Sequence, residues 1–186
     1  MSNENVKENT RFFETKNMVL MALFAAITCV LGPMSVPIGP VPISLTNLVL
    51  YFSLYFLGWK KGTITYMIYL LLGLVGLPVF SGFTGGVGKL AGPTGGYLIG
   101  FIFLTIVTGL FIEKFENILL CLAGMILGTA IAYVLGTAWF CISTGTGVMA
   151  ALATCVFPFI IGDLVKMIVA AFVAPMVAKQ TKKVLS

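Results

Sequence analysis

Asp163 and Lys166 stand three residues apart in AALATCVFPFIIGDLVKMIVAAFVAPMVA, residues 150–178, which is otherwise apolar. Asp163 is the only aspartate in the chain. A charged side chain at the centre of a membrane helix costs roughly 2.5–3.5 kcal/mol on insertion scales, and such groups face a bundle interior or a water-filled cavity. The i, i+3 spacing puts both on one helix face. A carboxylate accepts hydrogen bonds and an ammonium donates them. The two side chains therefore either lock helices together as a buried ion pair or grip one polar ligand. Apolar packing would lock helices at little extra cost, which favours the substrate site.

A second group of candidates lies in SGFTGGVGKLAGPTGG, residues 81–96, with seven glycines in sixteen positions. Glycine lets a backbone approach a ligand closely. Thr84 and Thr94 offer hydroxyls, Tyr97 an aromatic tip, and Lys89 a cation for an anionic ligand. The alternative is a flexible lid that touches no ligand. A nucleotide loop is excluded by spacing: GxxxxGK must precede Ser or Thr, whereas Leu90 follows Gly88–Lys89 and Phe83 holds the first glycine position.

Other chemistries are poorly served. With no histidine, the commonest metal ligand and the Ser/His/Asp arrangement are missing. Cys29, Cys121, Cys141 and Cys155 show no CxxC spacing and read as small buried hydrophobes. Only one carboxylate lies in the apolar segments, so there is no acid/base pair for hydrolysis. Glu113 and Glu116 flank Lys114 and read as a solvated cluster. No catalytic role, metal or cofactor is expected.

The elements that must carry these residues are membrane helices. Hydrophobic residues make up 59% of the chain and charged ones 9%, against roughly 25% charged in a soluble domain. A span needs about 20 apolar residues. Six candidates emerge, at about 18–34, 43–57, 62–80, 95–112, 118–140 and 150–178. The expected fold is an all-α membrane protein, a six-transmembrane-helix bundle in the cell membrane. Of eleven basic residues, nine fall on one side of such a bundle: Lys7, Arg11, Lys16, Lys60, Lys61, Lys114, Lys179, Lys182 and Lys183. Lys89 falls on the other side and Lys166 inside a span. The positive-inside rule then makes both termini cytoplasmic. Net charge of +5 reflects these flanks and not nucleic-acid binding. Residues 1–17 read as a cytoplasmic tail, not a signal peptide, with a short interfacial helix around Arg11–Lys16. Residues 18–180 form the membrane domain and 181–186 a second cytoplasmic tail. The outer connections, 32–42 with four prolines and 81–96, fold over the outer mouth, where a solute would be taken up.

Ala22 and Ala26 are four apart in the first span. Small residues at this spacing permit close helix approach, and from spacing alone internal packing is as good a reading as a partner surface.

The stretch GLPVFSGFTGGVGKLAGPTGGYLIGF, residues 76–101, resembles the signature of the BioY family, the biotin-binding S components of energy-coupling-factor (ECF) transporters. PVPISL at 40–45 and PFIIGDLVKM at 158–167 are similar to two further motifs of that family, and the resemblance covers roughly residues 18–180. One departure is Thr46, where the family often has Gln. The resemblance implies a six-helix protein that captures biotin on the outer side. It adds Ser44 and Gly95 to the binding site with Asp163, Lys166, Lys89, Thr84, Thr94 and Tyr97. It also implies a transmembrane scaffold subunit and two cytosolic ATPase subunits as partners, with Ala22 and Ala26 docking on the scaffold.

Biotin brings a ureido ring with two N–H donors and one C=O acceptor, an apolar ring and chain, and a carboxylate. Asp163 would accept from a ureido N–H. Lys166 would neutralise Asp163 and donate to the ureido oxygen, or reach the carboxylate, for which Lys89 is the other candidate. The sequence leaves open which end of the ligand points inward. A stand-alone secondary carrier for a small anionic metabolite, coupled through Asp163, is the competing function, but no internal repeat of the kind common in carriers is visible.

Overall fold

A computed structural model describes residues 14–36 and 41–184, with side chains to residue 181. Of the interfacial helix expected around Arg11–Lys16, residues 11–13 lie outside the described residues, and Thr15 and Lys16 belong to the first helix described. Helix α1 (Thr15–Leu31) buries Met21, Phe24, Ala25 and Thr28 on one face, the i, i+3, i+4, i+7 pattern of an amphipathic helix. That face packs on Val49 and Leu57, with the Phe24 and Phe56 ring centroids 5.2 Å apart. Gly32 and Pro33 end the helix three residues before the expected boundary. A two-stranded antiparallel ribbon follows, β1 (Ser35–Val36) with β2 (Ile43–Ser44).

Helix α2 (Thr46–Leu74) carries two expected spans and is broken at Gly58, where φ is 77° and ψ 177°. Residues 58–61 were expected to join two separate spans, but only Gly58 leaves the helical conformation. Glu113 explains why so little chain is needed. Its Oε1 accepts from the Trp59 backbone N–H at 2.9 Å, capping the second half of α2 with a carboxylate at its positive end. A Cβ on Gly58 would stand 2.1 Å from that oxygen. Glu113 is therefore a cap and not merely a solvated charge.

The second half of α2 stops at Leu74, short of the expected Phe80. Gly76 at φ 113° and Pro78 end it. The chain then turns back: the Tyr69 hydroxyl donates to the Val79 carbonyl at 3.0 Å, and Phe80 pairs with Thr84 in an antiparallel bridge. The glycine-rich connection is fastened further by Gly86 N–H to Gly73 O at 2.7 Å and Gly82 N–H to Pro33 O at 3.1 Å. It contains a short helix, α3 (Val87–Ala91), and the Trp139 indole N–H donates to Gly92 O at 3.0 Å.

Helices α4 (Gly95–Lys114) and α5 (Ile118–Thr144) form the centre. Small residues let them approach closely: a Cβ on Gly100 would lie 2.9 Å from the Ala132 Cα. The Asn117 side chain caps α5 by accepting from Leu119 N–H. The span expected over 150–178 is two helices, α6 (Val148–Cys155) and α7 (Phe157–Val184), meeting at Val156. Pro158 lacks the N–H that would have continued α6, and it is tolerated in the first turn of α7. The central core joins Tyr51 of α2, Leu104 of α4, Met125 and Ala132 of α5, and Met167, Ala170 and Ala171 of α7.

Among the described residues, the fold is all-α apart from the short ribbon and the Phe80–Thr84 bridge. By length and composition, Gly95–Lys114, Ile118–Thr144 and Phe157–Thr181 are each long and apolar enough to cross a membrane.

Candidate functional site

A cavity opens at the end of the bundle where the ribbon and the glycine-rich connection meet. Its lining includes Ser44, Lys89, Thr94, Tyr97, Asp163 and Lys166, six of the eight residues expected to bind substrate. Thr84 and Gly95 are not in the lining. The exposed Thr84 hydroxyl donates to Ser81 O at 3.0 Å, closing its own turn. Gly95 serves packing: a Cβ there would lie 1.6 Å from the Leu90 carbonyl oxygen, so only glycine lets α3 fold back on α4.

The closed end of the cavity is a polar knot on three helices. Asp163 is 6% exposed. Its Oδ1 accepts from Asn47 Nδ2 at 2.8 Å and Lys166 Nζ at 3.0 Å, and its Oδ2 accepts from the Tyr133 hydroxyl at 2.5 Å. Lys166 Nζ also donates to the Ser44 carbonyl at 2.7 Å and to Asn47 Oδ1 at 3.2 Å. Asn47 sits in the first turn of α2, Tyr133 on α5, and the charged pair on α7. An ion pair this buried stabilises only if its remaining lone pairs and protons are also bonded, and here they largely are.

Counting donors and acceptors leaves few groups for a ligand. An ionised carboxylate offers about four lone-pair sites, an ammonium three protons, and a carboxamide two N–H donors. Lys166 is fully used. Asp163 Oδ2 keeps acceptor capacity, the Tyr133 oxygen can accept while its proton is committed to Asp163, and Asn47 keeps one N–H. The free groups are therefore two acceptors and one donor.

The remaining walls are less polar. The Tyr97 hydroxyl donates to Cys155 O at 3.1 Å, and its ring packs on Gly136, where a Cβ would lie 2.4 Å from ring carbons. Tyr97 thus contributes ring surface, beside Phe101 and Phe159. Ser44 and Thr46 share a hydrogen bond of 2.5 Å beside the knot, where Lys166 bonds the Ser44 carbonyl. Lys89 enters from α3 and is partly buried. Among the described residues its ammonium has no ion pair or hydrogen bond, and desolvation holds its pKa below the ordinary lysine value.

Asn47 and Tyr133 were missed from the sequence. Asn47 carried a signal, being the only asparagine inside an apolar run. Tyr133 carried none, since tyrosines are plentiful in these helices.

The family model described as "BioY family" matches residues 3–183. The biotin transporter BioY of Thermotoga maritima is 40% identical over 160 residues, covering 86% of this chain and 94% of that protein. A probable biotin transporter BioY from Pyrococcus horikoshii is 37% identical over 161 residues, covering 87% of this chain and 95% of its own length. The crystal structure of the S-component for biotin from an ECF-type ABC transporter superposes with a TM-score of 0.82 at 30% identity, covering 96% of this chain and 95% of that one. The chain belongs to the BioY family.

Proposed function

We propose that the chain is the biotin-binding S component of an ECF-type vitamin importer, a multi-pass membrane protein that captures biotin and is not itself an enzyme. The observation that carries this reading is the set of free groups at the closed end of the cavity. Two acceptors, on Asp163 and Tyr133, answer the two ureido N–H groups of biotin, and the remaining N–H of Asn47 answers its carbonyl. The aromatic walls suit the apolar ring and chain. The cation of Lys89, on the loop side, suits the carboxylate. In this reading biotin enters ureido end first, with Lys89 as the carboxylate partner. A carrier coupled through Asp163 would have to free that carboxylate from Asn47, Tyr133 and Lys166, and no observation favours it.

The membrane arrangement is six spans: α1, the two halves of α2, α4, α5 and α7. Both termini are cytoplasmic, as the basic flanks require, with residues 1–17 and 181–186 as tails and 18–180 as the membrane domain. The cavity then opens outward. Ala22 and Ala26 lie on the exposed face of α1 among Met18, Val19, Leu23 and Val30, which supports this face as the dock for a transmembrane scaffold subunit. Two cytosolic ATPase subunits supply the energy.

The reading is tested by titrating the purified chain, without partners, with biotin in a calorimeter, alongside an ATPase assay. Saturable one-to-one binding without ATP hydrolysis is expected. Absence of binding, or ATP hydrolysis by a preparation verified to contain only this chain, would sink it.

A further inference from the structure

At the end of the bundle opposite the cavity, the bond from Trp59 N–H to Glu113 Oε1 brings Lys60 and Lys114 to neighbouring positions, each one residue from a member of that bond. A Cβ on Gly109 would lie 2.5 Å from the Trp59 Cβ, so α4 packs directly on this corner of α2. Both lysines are exposed and both stand over half-buried rings. The Lys60 ammonium is 5.8 Å from the Trp59 ring centroid and the Lys114 ammonium 5.5 Å from that of Phe115, close enough for cation–π attraction. Helix stability accounts for only one of the two. Lys114 closes α4, where the helix dipole favours a cation, whereas Lys60 lies in the first turn of the second half of α2, where the dipole opposes one.

Below each lysine runs an exposed apolar stripe on its own helix. Ile64 and Ile68 follow Lys60 at intervals of four. Leu110 and Phe103 precede Lys114 by four and eleven. These spacings keep each set on one helix face. From the end of the bundle toward its middle the order is therefore cation, aromatic ring, apolar stripe. Lys61 adds a further cation and Glu116 a solvated carboxylate, while Glu113 is engaged as the cap. A soluble anion or an acidic protein segment would use the cations alone. A phospholipid uses all three layers: its phosphate meets the ammoniums, its interfacial region lies level with the rings, where tryptophan is enriched in membrane proteins, and its acyl chains lie on the stripes.

We propose that this corner, between the start of the second half of α2 and the end of α4, binds an anionic phospholipid. Lys60 and Lys114 hold its phosphate, and the Ile64–Ile68 and Leu110–Phe103 stripes carry its chains.

The experiment follows lipid retention by native mass spectrometry while the full chain, purified in detergent, is delipidated in mixtures of phosphatidylglycerol and phosphatidylcholine with identical acyl chains. Preferential retention of one phosphatidylglycerol is expected. The preference should fall about five-fold for each of Lys60→Gln and Lys114→Gln. Lys16→Gln with Lys179→Gln removes the same charge from the same end of the bundle, away from this corner, and should leave the preference unchanged. Lys60→Arg with Lys114→Arg should retain it, and the single substitutions carry the test should a double variant not stay monodisperse. Equal retention of the two lipids, or a loss as large in the Lys16/Lys179 pair, would leave only a diffuse effect of charge and overturn the proposal. Displacement of phosphatidylglycerol by glycerol 3-phosphate or by a glutamate-rich peptide would overturn it in favour of a soluble anion or a protein partner.

Discussion

The two ends of the cavity are built on opposite principles. At the closed end, four side chains from three helices satisfy one another. At the open end, Lys89 sits on a five-residue helix inside a glycine-rich connection held by backbone hydrogen bonds, with no partner for its own charge among the described residues. The closed end is organised before a ligand arrives. Its groups lose little freedom on binding, and its low dielectric strengthens each hydrogen bond. The open end offers a charge to an anion in partly solvated surroundings, where screening keeps an ion pair weak. Discrimination between ligands should therefore reside at the closed end, and the open end should contribute attraction.

The largest effect should follow from breaking the knot at its only carboxylate. Asp163→Asn is expected to weaken biotin by about 1.5–3 kcal/mol, roughly ten- to a hundred-fold, because a charge-assisted hydrogen bond is lost and Lys166 is left without its counter-charge. Calorimetry on folded, monodisperse protein decides this, and undiminished affinity would remove Asp163 from the site. Tyr133→Phe deletes one bond to the same carboxylate and one acceptor, and should cost about 1.5 kcal/mol, roughly ten-fold. If Tyr133→Phe binds biotin normally, the acceptor assignment at the closed end fails.

At the open end, Lys89→Met should cost about 1 kcal/mol, roughly five-fold, for biotin, and leave biotin amide unaffected. Raising the ionic strength should shrink the difference. The pH dependence follows from the sign of the shift. Burial lowers the Lys89 pKa from 10.5 in the free protein, whereas a bound carboxylate would raise it. The contact is therefore fully present below the free-protein value and is lost as pH rises through the bound value. Alkaline pH should weaken biotin in the unaltered chain from a lower pH than an ordinary lysine would give. Equal titration slopes in Lys89→Met and unaltered protein would contradict this.

The smallest effect on binding should come from outside the cavity. Ala22→Trp with Ala26→Trp alters the exposed face of α1, so biotin affinity should stay within about two-fold while co-purification with the scaffold subunit falls. Unchanged co-purification would move the docking surface elsewhere.

How much of this was legible varied with the range of the interaction. Composition and hydropathy indicated a helical membrane protein because every buried backbone group in lipid must be bonded within its own segment. Helix ends were misplaced where distant partners intervene. Gly58 breaks α2 under a cap from Glu113, fifty-five residues away by number, and Tyr69 draws Val79 out of the helix. Thr84 was singled out because a hydroxyl in a glycine-rich run suits a ligand, but its partner is three residues away.

The sequence by itself determined that a pair of opposite charges lies within apolar surroundings. Asp163 and Lys166 share a helix face whatever the rest of the chain does, because the helical repeat is local. Only the tertiary structure decided what surrounds them. Asn47 and Tyr133 lie 116 and 30 residues from Asp163, and no local pattern specifies that two other helices must bring an amide and a phenol to that carboxylate. Nor could spacing show that Lys166 spends its last protons on Ser44 and Asn47. Hydrogen-bond capacity is a local property of each side chain, but its use is settled by whatever the fold places within reach.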